Sequence, residues 1–148
     1  MGEIAKSKRR GDPLLQLIAT LQERWQLQDW EIALRRGPGE KTPCGQQMAQ
    51  GSVRHSPCTR SALVVLPSDY DVAESGLEMS EPFVVAHEMA HLLLSPFLPV
   101  MESALRWAPE AVREVLAAQW QDAEELICNI LAADATGERP KPYWGEQA

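Results

Sequence analysis

Cysteine is scarce in this chain: Cys44, Cys58 and Cys128 are the only three. An odd, sparse set cannot make a disulfide framework and fits a reducing compartment, so a cytoplasmic protein is expected. No apolar run approaches the roughly 18 residues of a membrane span, which points to a soluble protein with no membrane partner. The first ten residues are partly basic, but no apolar region with a small-residue cleavage site follows them, so no secretory leader is expected. An excess of positive charge is also missing. The net charge of −7 argues against nucleic acid as the main partner, and Lys6, Lys8, Arg9 and Arg10 read as part of a solvated tail. Internal repeats and low-complexity blocks are absent. At 148 residues, with 45% hydrophobic and 24% charged residues, the chain is large enough for one real core and needs no second. The organisation expected is a flexible basic tail over 1–11, a single domain over 12–136 and an irregular tail over 137–148.

Histidine is as rare as cysteine, with three in the chain, yet two of them stand in one motif. Residues 82–95 contain His-Glu-x-x-His at His87, Glu88 and His91. With three His and fifteen Glu in 148 residues, chance supplies roughly 0.006 such matches. Pro82 in the first turn and Pro96 just after Ser95 frame good helix formers, so the spacing predicts a helix of about four turns. His87 and His91 then share a face one turn apart and reach a single metal ion, while Glu88 lies about 100° further round. Two neutral imidazoles suit a cation such as Zn²⁺, and a non-ligating carboxylate suits the proton of an activated water. The plainer alternative is an amphipathic helix whose histidines are polar residues at the edge of the core. Phe83, Val84, Ala86, Ala90 and three leucines surround them, and an imidazole pair buried without a partner is costly.

The rest of the chain supports an α+β fold. Asp12-Pro13 starts a helix over about 13–26, with Leu14, Leu17, Ile18, Leu21 and Trp25 at helical spacing. Residues 30–36 read as a strand ended by the turn chemistry that begins at Gly37, 48–55 as a second strand paired with the next, and 61–66 as a short buried strand ended by Pro67. Residues 68–80 read as a polar loop. After the motif helix, Pro96 and Pro99 are expected to break the chain, with a short helix over 100–107. Pro109, at a first helical position, opens a longer helix in which Val112, Val115, Leu116, Gln119, Leu126, Ile127, Ile130 and Leu131 continue a helical period to about Ala135. The layout expected is an N-terminal helix, a small three-stranded sheet, the His-Glu-x-x-His helix and a long C-terminal helix bearing glutamates.

A catalytic site with two histidine ligands needs a third protein ligand and an open position. No His or Gly follows in 92–97 to supply the extended form of the motif. The remaining histidine, His55, lies in the second strand. A set of Cys44, His55 and Cys58 lacks a fourth ligand and paired close spacing. The late helix offers Glu124 and Glu125 beside an apolar face, either of which completes a His, His, Glu set.

This order of elements and motifs resembles the gluzincin metallopeptidases, in particular the minigluzincins and small phage and bacterial members of the ImmA/IrrE type. The resemblance covers the ordering of most of the chain and rests on a five-residue motif. It implies a zincin-like fold, one Zn²⁺ held by His87, His91 and a glutamate, and Glu88 as the general base of peptide hydrolysis. In such relatives Asn or Asp often stands four positions after the ligand Glu and Ala seven after. Glu125, with Asn129 and Ala132, matches, whereas Glu124, followed by Cys128, does not. The resemblance therefore selects Glu125, with Glu124 second, and makes Asn129 a residue that orients a ligand. The expected partner is a peptide or protein substrate. His55 and Tyr70 are the candidates for an oxyanion partner, and Cys128 reads as a small buried side chain. A competing reading is a non-catalytic module in which zinc staples two helices for binding another protein. A nucleic-acid-binding regulator would rest on the basic tail alone.

Overall fold

The computed structural model describes residues 12–37, 52–67 and 80–138. The fold is α+β: a first helix, a small three-stranded sheet, then helices that include a long C-terminal one. Helix α1 spans Pro13–Arg24, with the Asp12 carboxylate accepting from the Leu14 N–H as its N-cap. It ends two residues before the expected 26, because Gln26 adopts a left-handed conformation (φ 57°) that turns the chain toward the sheet. Strands β1 (Glu31–Gly37), β2 (Ser52–Ser56) and β3 (Ser61–Pro67) follow. The sheet order is β1-β3-β2, with β3 parallel to β1 and antiparallel to β2. The strand expected over 48–55 is thus described over Ser52–Ser56, and 48–51 lie outside the described residues. As the middle strand, β3 is almost wholly apolar, and Ala62, Val64, Val65 and Leu66 are buried.

Helix α2, Glu81–Leu94, carries the His-Glu-x-x-His motif. Ser80 caps it, its hydroxyl accepting from the Phe83 N–H at 3.3 Å. The helix packs against α1, β2, β3 and the C-terminal helix, which is why ten of its fourteen residues are buried. Pro96 and Pro99 do not break the chain as expected. A single 3-10 turn, Ser95–Phe97, passes directly into helix α3, Leu98–Trp107, where Pro99 occupies the first turn and needs no N–H partner. By length and composition the continuous helical stretch Glu81–Trp107 is apolar enough to cross a membrane, yet most of that apolar window is buried inside the fold.

Helix α4 spans Glu110–Thr136. Pro109 is its N-cap residue rather than its first helical position, and Gly137, at φ 73°, ends it in the left-handed conformation that glycine adopts without strain. Just beyond, Glu138 reaches back to the start of α2, accepting from the Ser80 N–H at 2.8 Å and from the Ser80 hydroxyl. The helix runs as its period predicts, but that period does not mark a buried face. Only Cys128 and Ala132 are fully buried, while Val112, Val115, Leu126, Ile127 and Ile130 stay exposed. The helix rests on α2 through one narrow face, and its first two turns lie almost wholly in solvent.

Candidate metal centre

The site lies where α2 crosses α4. The 3.6-residue repeat of α2 places His87 and His91 on one face, their rings edge to face with centroids 5.1 Å apart. The other faces of α2 are held by Phe83, Val85, Met89 and Leu92, all essentially inaccessible, so the direction of the two imidazoles is fixed by packing. Opposite them α4 presents Glu124, Glu125, Cys128 and Asn129.

Both imidazoles turn Nε2 toward one carboxylate: His87 Nε2 lies 3.1 Å from Glu125 Oε2 and His91 Nε2 lies 3.3 Å from Glu125 Oε1. Their other nitrogens are engaged elsewhere. His87 Nδ1–H donates to Asn129 Oδ1 at 2.8 Å, and His91 Nδ1–H donates to Glu124 Oε1 at 2.9 Å. A carboxylate only accepts, so Nδ1 of His91 carries a proton, and in the neutral ring the Nε2 lone pair is the one left for a cation; the Asn129 oxygen fixes the same tautomer for His87. Donor atoms of His87, His91 and Glu125 lie within 4.8 Å of one another, and the three residues could hold a metal ion. The spacing fits one. With bonds near 2.0–2.1 Å, donors of a tetrahedral set stand about 3.3 Å apart, close to both His–Glu125 separations.

The electrostatics fit as well. Hydrogen bonds from His87 and then His91 hold the Glu125 carboxyl well below the ordinary carboxylate range. Burial opposes charge on His91, but its contacts with Cys128, Glu125 and Glu124 outweigh that and push it up to about 11. Two carboxylates at the end of a buried imidazole favour a positive charge there, and a bound cation would compete with that proton. Glu88 contrasts with Glu125: buried beside the histidines, its carboxyl is pushed up to about 7, chiefly by burial. His55 is drawn into the same field from β2, held below its ordinary value by burial and then by His91. Its ring also stands edge-on to Trp30, centroids 6.3 Å apart.

Of the residues singled out in the sequence, the structure brings together His87, Glu88, His91, Glu124, Glu125 and Asn129. Tyr70 and Cys44 lie outside the described residues, and Cys58 is free and exposed on the β2–β3 turn. Cys128 is buried beside His91. What sequence reasoning missed is the use of Glu124, which stands on the outer nitrogen of His91 while its neighbour faces the ligand side. Neighbouring helix positions differ by about 100°, so two adjacent carboxylates cannot share one role. That signal was available, but it does not say which residue takes which place. Comparisons with protein-family models, curated proteins and solved structures gave no match for this chain.

Proposed function

We propose that the protein is a zinc-dependent peptidase of gluzincin type, with His87, His91 and Glu125 as the metal ligands and Glu88 as the general base. The observation that carries this reading is the convergence of two Nε2 atoms on the Glu125 carboxylate while both Nδ1 atoms are fixed from behind. Two imidazoles and one carboxylate suit zinc, and three protein donors leave one tetrahedral position open. Glu124 is engaged on Nδ1 of His91, which favours an open site over a four-ligand staple between helices. Zinc bound there supplies a Lewis acid that polarises a carbonyl and acidifies water. Glu88, one residue from His87 and buried, takes the proton from the attacking water and passes it to the leaving amine. Burial keeps competing water from the Glu88 carboxyl, and α1, β2 and β3 pack against the helix that carries it. The peptide as substrate class comes from the resemblance of the motif and the order of elements.

The test is Glu88→Gln, which keeps the side chain's size and removes its basicity. The variant is expected to retain one zinc per chain by elemental analysis and to lose about 10²–10⁴-fold in hydrolysis of a mixed peptide library. Zinc-loaded variant that cleaves as fast as the parent would remove Glu88 from the mechanism, and parent protein that takes up no stoichiometric ion would remove the peptidase reading.

A further inference from the structure

Helix α4 is apolar on two opposite faces. One face, with Cys128 and Ala132, packs on α2 and carries Glu124, Glu125 and Asn129. The other is the line Val112, Leu116, Gln119, Ala123, Leu126 and Ile130, spaced 4-3-4-3-4, which keeps one direction along about 27 Å of helix. Val115 and Ile127 widen the line, and no charged residue stands on it. Val112, Val115, Leu126, Ile127 and Ile130 are 44, 54, 60, 40 and 57% exposed. Soluble domains seldom leave a contiguous apolar surface of more than a few hundred Å² uncovered unless it binds something.

We propose that this outward face is the interface of a homodimer in which two copies of α4 pack antiparallel about a twofold axis near residue 121. The line is close to palindromic about that point. Reversed on itself, it sets Val112 against Ile130, Leu116 against Leu126 and the long Gln119 against the small Ala123. The outer layers are then wholly apolar and the central ones pair a large with a small side chain, whereas parallel pairing would face Gln119 with Gln119 and leave a gap between two alanines. The chain's own stretches 1–11, 38–51, 68–79 and 139–148 are each shorter than the line and carry no apolar repeat to match it. An anionic membrane is disfavoured by the net charge of −7 and by Asp122 and Asp134 beside the face. With about half of each of the five side chains exposed, two copies cover on the order of 800 Å² from these alone, and their neighbours bring the pair to the small end of specific interfaces. An interface this small fits a weak, transient dimer. Since the ligand-bearing face lies on the far side of the same helix, the two metal centres face away from each other and both stay open.

The twofold arrangement brings one like-charged pair together, Asp122 with its own copy, on the flank beside the crossing point. Sedimentation velocity of the full chain over about 1–500 µM should show monomer passing to dimer. Ile130→Glu should weaken the association at least tenfold, and its unfolding curve at low concentration should overlay the parent's because the site is exposed. Asp122→Asn should tighten association severalfold, an effect that parallel packing does not give. A chain that stays monomeric throughout, a dimer indifferent to Ile130→Glu, or one not tightened by Asp122→Asn overturns the proposal. So does a monomer that co-sediments with phosphatidylcholine vesicles and loses that binding on Ile130→Glu.

Discussion

Ten of the fourteen residues of α2 are buried, whereas α4, nearly twice as long, buries two. Each supplies part of the candidate metal centre, and the difference shows in their glutamates. Glu88 on α2 has lost its water and its carboxyl rises to about 7, while Glu125 on the exposed α4 is pulled down by hydrogen bonds from two imidazoles. The core helix provides direction and a dry setting, and the surface helix provides negative charge at little desolvation cost. One polar cluster therefore contains a carboxyl suited to accepting a proton and another suited to accepting a cation.

The sharpest way to break this contrast is to place the same charge on each helix. Val85→Asp puts an unpaired carboxylate into a fully buried position of α2 and should abolish folding, as read by the loss of a cooperative urea transition. Leu126→Asp, on the outward side of α4, should leave monomer stability within about 0.5 kcal/mol of the parent. If both variants unfold, α4 is not the surface helix described here.

A second test uses pH on protein stripped of metal by chelation. Below 4.5, the ordinary value for Glu88, folded and unfolded chains both hold its proton. Between 4.5 and about 7 the unfolded chain releases it and the folded chain does not, so this group withdraws stability as pH rises through that window. Glu88→Gln has no proton to release, and its advantage over the parent in urea midpoints should grow from pH 4.5 to 7. Parallel pH profiles for the two would mean that Glu88 is not desolvated. The smallest effect compares two neighbours on α4. Asn129→Ala removes the acceptor behind His87 and should weaken zinc binding about 10–100-fold in competition with a chromophoric chelator, while Ile130→Ala should leave it unchanged.

Much of this was legible in the sequence, for reasons particular to each element. The helix carrying His87 and His91 is framed by prolines and filled with apolar residues, and its 3.6-residue repeat fixes which side chains share a face. The middle strand reads clearly because an unbroken apolar run suits a strand covered on both sides. The separate positions of Glu124 and Glu125 were not legible from helical periodicity, because only the way α4 crosses α2 decides which carboxylate meets Nε2 and which meets Nδ1. The exposure of Leu126, Ile127 and Ile130 was hidden for a related reason. Apolar residues on opposite sides of one helix both satisfy a search for helical spacing, and the sequence does not say which side faces inward. The passage through Pro96 and Pro99 was misread because proline interrupts a helix by lacking an N–H, which a 3-10 turn followed by a fresh first turn does not need.

The clasp of Glu138 on Ser80 has a consequence at a distance. It ties the final residue described after α4 to the residue just ahead of α2, and so acts as an end stop for two rods lying side by side. A slip of one helical turn would carry Glu125 about 5.4 Å along the groove, beyond reach of one imidazole or the other. The phase that the packed faces of the two rods define is thus also held from beyond the centre, by a serine and a glutamate that never touch it.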